Sequence, residues 1–312
     1  MHVATLDQYQ GCLLGLALGD ALGAPYEGGP AERLLWRLIG RTAQGEMRWT
    51  DDTQMSIDVA ESLIASGHLD ADDLARRFAH GYRWSRGYGP GAAKLLKRIA
   101  RGQGWQTASR SVYRDGSFGN GGAMRSPIVA LWCAGQPAVL MDAARLAARV
   151  THAHPLGVEG AVLVAHATAL ALHRTAPVEW LDASARLATG EPFSRRLSLA
   201  SRWLRSHAAP EPREVARQLG NGVAAAESCV TALYVAARFV DSPFEDMLRF
   251  VAQGGGDVDT IGAMAGALWG AVRGRAGLPA EAIAKLEQKD RLITLASVLF
   301  AKTHDTAASA AG

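Results

Sequence analysis

The sequence predicts a single, compact, all-α domain, folded as an orthogonal multi-helix bundle. Apolar residues recur at helical spacing in nearly every long segment, as Met55, Val59 and Leu63 do between residues 53 and 65. No segment combines sustained apolar–polar alternation with enrichment in β-branched residues, so the predicted strand content is near zero. No linker rich in proline, glycine and serine divides the chain. We therefore place the domain at residues 1–302, with a flexible tail over residues 303–312.

Each predicted helix follows from its own apolar period, and several begin with proline or a capping residue. The predicted helices span residues 8–22, 53–65, 70–82, 121–133, 137–150, 155–173, 195–206, 212–219, 224–240, 243–252, 259–273 and 279–302. Residues 81–119 are richer in glycine, arginine and tryptophan and less periodic, so we predict loops on one face there.

Composition and charge describe an ordinary globular protein. Of the 312 residues, 48% are hydrophobic and 20% are charged, which is enough apolar material for a well-buried core. The net charge of +3 is small for this length and gives no reason to expect nucleic acid or a membrane as a partner. We expect a monomer.

The cysteines and the N-terminal segment indicate a cytoplasmic protein. Cys12, Cys133 and Cys229 are far apart and outside any CxxC pair, which is typical of buried thiols in a reducing compartment. The N-terminal segment lacks a basic region and carries acids in and before its apolar stretch, so we do not predict a signal peptide. The apolar segments are too short or too interrupted to span a bilayer.

Two acid-bearing segments, each just before a predicted helix, are the first candidates for chemistry. They are residues 49–53 (WTDDT) and residues 254–262 (GGGDVDTIG). Helix capping would explain either segment alone, because threonine and aspartate are good N-caps. The second segment is harder to explain in this way, since three glycines, two acids and a threonine offer more oxygens than a cap uses.

Together, the two segments supply enough oxygen ligands for hard divalent cations. Mg²⁺ and Mn²⁺ bind six oxygens, and carboxylates this dense repel one another unless a cation neutralises them. One shared carboxylate would set two ions about 3.5–4 Å apart, the spacing of two-metal hydrolytic sites. No histidine lies near either segment, which argues against zinc. The candidate metal ligands are Thr50, Asp51, Asp52, Asp257, Asp259 and Thr260.

A glycine-rich stretch at residues 115–125 and a histidine are weaker candidates. The stretch could present N–H groups to a phosphate, but a tight turn explains it equally well, and it is neither a P-loop nor a Rossmann turn. Phe118 could stack on an adenine or belong to the core. Arg125 could pair with an anion or lie on the surface. His152 could bind a ligand, although a structural histidine is the commoner case.

Five segments, in this order, resemble the ADP-ribosylglycohydrolase family, which includes dinitrogenase reductase-activating glycohydrolase. They are GCLLGLALGDALGAPYE at residues 11–27, WTDDTQM at 49–55, FGNGGAMRSP at 118–127, THAHPLG at 151–157 and GGGDVDTIGAMAGALWGA at 254–271. The resemblance covers residues 9–273, which is most of the chain. Relatives often have GGDTDT in the last motif, and Val258 here replaces a residue that is not a ligand.

The resemblance implies an all-helical fold with two Mg²⁺ or Mn²⁺ ions at the bottom of a cleft. The six candidate ligands match the family's two ligand triplets, with Asp259 as the bridge. Phe118 matches an aromatic residue at adenine, His152 a contact to the distal ribose, and Glu27 a loop acid near the scissile bond. The loop that binds the diphosphate and ribose matches Gly116, Ser117, Gly119, Asn120 and Gly121.

The implied reaction is hydrolysis at the ribosyl C1″ through an oxocarbenium-like transition state. The enzyme would release ADP-ribose from an arginine or serine side chain of a modified protein, or from a small-molecule ADP-ribose conjugate. A modified nucleic acid would present the same ADP-ribose half. A carboxylate of Asp51, Asp52 or Asp259 would orient or deprotonate the water, and Glu27 would protonate or position the leaving group. Two alternatives stay open: a non-catalytic or structural ADP-ribose-binding protein, and a metal-dependent nucleotide phosphohydrolase.

Overall fold

The chain folds as an all-α structure, which confirms the predicted fold class. The structure is a computed structural model that describes residues 2–206 and 208–310. These residues form seventeen α-helices, four short 3-10 turns and three isolated β-bridges, and none of them belongs to a named strand. The 3-10 turns are Ala24–Tyr26, Trp84–Arg86, Asn120–Gly122 and Arg275–Gly277.

The helices follow one another along the whole chain and are joined by short connections. They are α1 (Leu6–Gly23), α2 (Pro30–Ile39), α3 (Asp51–Ser66), α4 (Ala71–Gly81), α5 (Pro90–Ala100), α6 (Trp105–Ser111), α7 (Ser126–Trp132), α8 (Pro137–Arg149), α9 (Pro155–Leu172), α10 (Pro177–Leu187), α11 (Glu191–Arg205), α12 (Pro212–Leu219), α13 (Ala225–Phe239), α14 (Phe244–Gly254), α15 (Val258–Arg273), α16 (Ala280–Ala284) and α17 (Lys289–Ala310).

The helices differ from the predicted ones mainly where polar residues obscure the apolar period. Helices α5 and α6 occupy the middle of residues 81–119, so the prediction of loops throughout that region was wrong. Helix α5 begins with Pro90 and buries Leu95 and Leu96. Two buried leucines are too few to form a recognisable apolar period among the surrounding glycines and arginines. Helices α2 and α10 were also not predicted.

The predicted helix over residues 279–302 is two helices. After α16, the Met47 N–H donates to the Lys285 carbonyl at 2.6 Å and the Glu287 N–H donates to the Met47 carbonyl at 3.0 Å. Gln288 then takes a left-handed φ of 54°, which breaks the helix before α17 begins. Residues 303–310 of the predicted tail are helical, and residues 311 and 312 lie outside the described residues. The domain boundary at residue 302 stays a prediction.

Helices α1 and α15 lie at the centre of the fold, where glycines let their backbones touch. A Cβ added at a glycine of α1 would overlap the carbonyl oxygen of its antiparallel partner on α15. The pairs are Gly11 with Gly270, Gly15 with Gly266 and Gly19 with Gly262. Because residues 8–21 are all buried, α1 has no solvent face and is a core helix.

This antiparallel contact brings the last turn of α1 to the first turn of α15. A Cβ added at Gly23 would lie 2.6 Å from the Cα of Asp259. Asp20, one turn earlier on α1, is fully buried. Carboxylate oxygens of Asp20, Asp52 and Asp259 all lie within 4.8 Å of one another. The close helix contact therefore positions an acidic cluster.

A buried ion pair holds the segment that precedes α3. Arg86 and Glu287 are joined by two hydrogen bonds of 2.7 Å. Arg86 also donates to the Trp49 carbonyl at 2.7 Å, and its guanidinium carbon lies 3.7 Å from the centre of the Trp49 ring. Because Thr50 follows Trp49 directly, these contacts fix the start of α3.

Among the described helices, α9 is long and apolar enough to cross a membrane by length and composition. Within the fold, 67% of it is buried, as in a core helix of a globular protein. Cys12, Cys133 and Cys229 are buried and unpaired. The monomeric state and the cytoplasmic location stay predictions.

Replacing Gly15 by alanine should destabilise the fold. The added Cβ would overlap the carbonyl oxygen of Gly266, and backbone atoms cannot rotate away as a side chain would. The two central helices would have to separate, which we expect to lower the free energy of unfolding by about 3 kcal/mol. Chemical denaturation followed by far-UV circular dichroism measures this change.

Gly254→Ala is the matched control, because a Cβ at this helical position meets nothing nearer than 3.5 Å. Alanine forms helix better than glycine, so stability should stay the same or rise by up to about 1 kcal/mol. An unchanged denaturation midpoint for Gly15→Ala would show that the close backbone contact is not required.

Candidate active site

The two acid-bearing segments meet at one cleft. The Thr260 hydroxyl donates to Asp52 Oδ1 at 3.3 Å, across 208 residues of sequence. Asp51, Asp257, Asp259 and Thr260 line the same cleft. Helices α3 and α15 both begin there, and the partial positive charge of a helix N-terminus favours carboxylates at that place. The structure therefore brings together the residues that the sequence analysis grouped as ligands.

Two groups of carboxylates lie close enough to share cations. Oxygens of Asp20, Asp52 and Asp259 lie within 4.8 Å of one another, and so do oxygens of Glu27, Asp257 and Asp259. Asp259 belongs to both groups, which is the position that a bridging ligand needs. The carboxylates are buried except for Glu27, which is half-buried.

Burial makes the negative charge of this cluster unfavourable. Burial is the main cause that raises the pKa of Asp51, Asp52 and Asp259 well above the usual value, and neighbouring carboxylates raise it further. The buried Asp52 Oδ2 has no hydrogen-bond partner among the described residues. Divalent cations would supply the missing partner and the missing positive charge, so these residues fit a metal centre.

Asp20 organises the first acidic segment, although the sequence analysis did not select it. Its carboxylate accepts hydrogen bonds from the Thr50 N–H at 2.9 Å, the Thr53 N–H at 3.0 Å and the Thr53 hydroxyl at 2.6 Å. Burial raises the pKa of Asp20 to about 6, and these hydrogen bonds oppose the rise. The sequence did contain one signal for this role, since Asp20 is a lone acid in a long apolar and glycine-rich stretch. A carboxylate buried in such a stretch seldom lacks hydrogen-bond partners.

Hydrogen bonds to N–H groups at the helix start explain only part of each segment. Thr50 is the N-cap of α3, and its hydroxyl oxygen accepts from the Asp52 N–H at 3.3 Å. A second lone pair on that oxygen stays open to a cation. Asp257 stands at the N-cap position of α15 but makes no capping hydrogen bond with its side chain. Asp259 Oδ1 accepts from the Thr260 N–H at 2.9 Å, so in the second segment it is Asp257 that has no capping role.

Asn120 supports Asp257. Its side-chain amide donates to Asp257 Oδ2 at 2.5 Å and to Ser228 Oγ at 2.9 Å. Its backbone N–H donates to the Val223 carbonyl at 2.9 Å. All the N–H groups of Asn120 are thus used within the protein. This arrangement leaves it no donor for a diphosphate, and the sequence analysis did not foresee the contact with Asp257.

The other predicted loop residues divide between the cleft wall and its surroundings. Ser117, Gly119 and Gly121 line the cleft. Gly116 is outside the lining; it has a φ of 83°, where an L side chain would be strained. Phe118 also lies outside the lining and is 54% exposed. Its ring meets the ring of the neighbouring His154 edge-on, so adenine stacking on Phe118 would take place at the surface.

Glu27 and His152 both reach the cleft. Glu27 follows the 3-10 turn Ala24–Tyr26, and its carboxylate lies beside Asp257 and Asp259. His152 is 9% exposed, and burial together with Arg125 lowers its pKa to about 3, so its imidazole is neutral. Arg125 is completely buried, so the alternative that it lies on the surface is wrong.

The acidic cleft has a volume of about 290 Å³. A larger groove of about 1120 Å³ lies beside it and shares Ser109 with its wall. Trp105, Arg110, Arg114 and Arg149 line this groove, which contains none of the candidate metal ligands. The chemistry of the lining, rather than the volume, therefore identifies the smaller cleft as the candidate active site.

Known proteins resemble this chain along nearly its whole length. The sequence model of the ADP-ribosylglycohydrolase family matches residues 1–308. ADP-ribosylhydrolase ARH3 of Gallus gallus is 34% identical, over 87% of this chain and 87% of that protein. The human ADP-ribosylhydrolase ARH3 is 33% identical, over 88% of each chain.

A bacterial relative and a solved structure agree with this assignment. The ADP-ribosyl-[dinitrogen reductase] glycohydrolase of Rhodospirillum rubrum is 31% identical, over 91% of each chain. A solved chain described as an ADP-ribosylglycohydrolase-related protein complex is 27% identical, with a TM-score of 0.71 over 96% of this chain and 98% of that one. The family match, these relatives and the shared fold lead to one conclusion: the chain belongs to the ADP-ribosylglycohydrolase family and is a glycosidic-bond hydrolase.

Proposed function

We propose that this hydrolase releases ADP-ribose from an ADP-ribosylated acceptor and depends on two divalent cations, Mg²⁺ or Mn²⁺. One observation carries the proposal: two distant acidic segments converge on one cleft, where Thr260 bonds Asp52 and Asp259 belongs to both carboxylate groups. Buried carboxylates that repel one another are stabilised when cations neutralise them, which supports the metal dependence of the site.

The cations would be held by Thr50, Asp51, Asp52, Asp257, Asp259 and Thr260, with Asp259 between them. Bound there, they would place positive charge beside the ribose hydroxyls and the attacking water. The protein orients the ligands in advance, since Thr260 holds Asp52 and Asn120 holds Asp257. Such supporting hydrogen bonds are typical of sites that must hold ions in a defined geometry.

The side chains around the cleft would orient the reactants and transfer protons. Asp52 Oδ2, which has no partner among the described residues, would bind a cation and could accept a hydrogen bond from the attacking water with its second lone pair. Asp51 and Asp259 line or adjoin the same cleft and are alternatives for this role. Glu27 would donate a proton to the leaving group or position it, because its carboxylate lies beside Asp257 and Asp259.

For the acceptor, we propose a protein modified on an arginine or serine side chain. The Rhodospirillum rubrum relative is named for dinitrogen reductase, which is a protein acceptor. Glu27 and Asp51 are only half-buried, so the acidic end of the cleft is open to a side chain that arrives from outside. A small-molecule conjugate of ADP-ribose would use the same ADP-ribose contacts.

A panel of ADP-ribosyl linkages, assayed with Mg²⁺ or Mn²⁺, tests the reaction. We expect free ADP-ribose, identified by mass spectrometry, from protein carrying ADP-ribosyl-arginine or ADP-ribosyl-serine. Removing a residue that hydrogen-bonds a metal ligand lowers activity about 10- to 100-fold. Asp259 is itself a proposed ligand, so Asp259→Asn should lower activity by at least about 100-fold. Release of AMP instead would favour a nucleotide phosphohydrolase.

Added Mg²⁺ or Mn²⁺ should raise the melting temperature, and more at pH 8 than at pH 5. Burial raises the pKa of Asp52 and Asp259, so without metal their ionisation lowers stability as the pH rises. Cations bind the ionised form and should add about 3 kcal/mol at a hundred times the dissociation constant. Differential scanning fluorimetry measures the shift, and an equal shift for wild type and Asp259→Asn would contradict the site.

Glu27→Gln should lower kcat about 100-fold or more if Glu27 transfers a proton in the rate-limiting step, because the amide cannot do so. The Glu27 carboxylate lies in one of the two groups that could hold a cation, so metal-induced stabilisation should persist only if Glu27 acts in proton transfer and not as a ligand. Glu281→Gln, on the exposed surface of α16, is the control and should retain wild-type kcat. Full activity of Glu27→Gln would exclude Glu27 from the mechanism.

A further inference from the structure

Arg125 is a completely buried arginine behind the cleft. One end of its guanidinium, Nη1, donates to the Gly121 carbonyl. The other end, Nη2, donates to the Ala147 carbonyl at 2.9 Å and to Thr151 Oγ1 at 2.8 Å. Among the described residues, no carboxylate forms an ion pair with it. Three of its five N–H groups therefore bond two carbonyls and one hydroxyl, and the buried Nε has no hydrogen-bond partner among the described residues.

The hydroxyl of Thr151 connects Arg125 to His152. Thr151 Oγ1 lies 2.8 Å from His152 Nδ1, and Thr151 is 2% exposed. An arginine can only donate, so Thr151 Oγ1 accepts from Arg125 and its own proton must find another acceptor. Among the described residues, His152 Nδ1 is the one acceptor that bonds this hydroxyl. The opposite direction would leave a buried hydroxyl proton unpaired, which is unfavourable.

This direction of donation determines which ring nitrogen carries the proton. If Nδ1 accepts from Thr151, the neutral imidazole must carry its proton on Nε2. Burial and Arg125 hold the ring neutral, since together they lower the pKa of His152 to about 3.

The protonated nitrogen faces the cleft. A Cβ added at Gly121 would lie 2.9 Å from His152 Nε2, and one added at Gly119 would lie 3.4 Å from it. His152, Gly119 and Gly121 all line the cleft. The ring's hydrogen bond to Thr151 is at Nδ1, and none of the described residues forms one with Nε2. An oxygen of a bound ligand can therefore accept from it.

We propose that Arg125 and Thr151 are positioning residues that hold His152 as the Nε2–H tautomer, so that it donates a hydrogen bond to an oxygen of the bound ADP-ribose. The identity of the ligand rests on the proposed function, but the tautomer does not. Arg125 acts twice, because the same guanidinium also fixes the carbonyl of Gly121 in the adjacent loop. Thr151 has one role, which is to accept from Arg125 and donate to His152.

Nitrogen-15 NMR of the full-length protein, labelled at histidine and saturated with Mg²⁺, tests the tautomer without any substrate. His152 is assigned by the signal lost in His152→Gln. We expect wild type to show Nδ1 as an unprotonated nitrogen and Nε2 as a protonated one. A protonated Nδ1 in the wild-type protein would overturn the proposal.

Two substitutions of Thr151 separate the effect of its hydrogen bond to His152 from the effect of side-chain packing. Thr151→Val has a similar shape but no hydroxyl, so the His152 ring should shift towards a mixture of tautomers. Thr151→Ser keeps the hydroxyl and should retain the Nε2–H form. Thr168→Val is the matched control, because Thr168 is a buried threonine whose hydroxyl bonds only the Val164 carbonyl. Identical spectra for Thr151→Val and wild type would also overturn the proposal.

Isothermal titration calorimetry with ADP-ribose in the presence of Mg²⁺ tests the consequence. Thr151→Val should bind about three- to tenfold more weakly, the effect of one hydrogen bond. Thr151→Ser and Thr168→Val should bind as wild type does. Equal affinity of Thr151→Val and wild type would reject the donation to the ligand. If wild type bound no ADP-ribose, the proposed function would fail, while the NMR experiment would still decide the tautomer.

Discussion

The direct contact between the backbones of α1 and α15 is the constraint on which the rest of the structure depends. Glycine faces glycine along the crossing, so the two helices approach more closely than any side chain would permit. Residues next to these glycines on the two helices then have little freedom to shift relative to one another. Asp20 and Asp259 occupy the end of this contact, where the carboxylates gather. A site carried by two buried helices holds its oxygens within the narrow limits that metal coordination requires.

Bringing so many carboxylates together concentrates unfavourable charge in the folded protein. Burial and mutual repulsion raise the pKa of Asp51, Asp52 and Asp259. Hydrogen bonds relieve part of this cost at Asp20, which accepts two backbone N–H groups, and at Asp257, which accepts from Asn120. The remainder is relieved only by protons or by cations. Stability, pH and cation binding are therefore linked through one cluster.

In addition to the acidic cluster, one buried guanidinium links two segments that line the cleft. Arg125 joins the loop at Gly121 to the helix end at Thr151, and through Thr151 it reaches His152. Carboxylates elsewhere in the cleft can only accept when ionised, whereas His152 offers a donor. Under the proposed function, the acidic residues would meet cations and His152 would meet an oxygen of the ligand.

The sequence by itself determined the all-helical class, because apolar spacing is a local property, although α2, α5, α6 and α10 were missed. It also identified the candidate ligands, since motifs such as residues 49–55 are contiguous. It could not show that Asn120 holds Asp257 or that Asp20 accepts from the Thr50 N–H, because these hydrogen bonds join residues 137 and 30 positions apart. Only the tertiary structure decided which polar groups meet, because hydrogen bonds between distant segments leave no periodic trace in the chain.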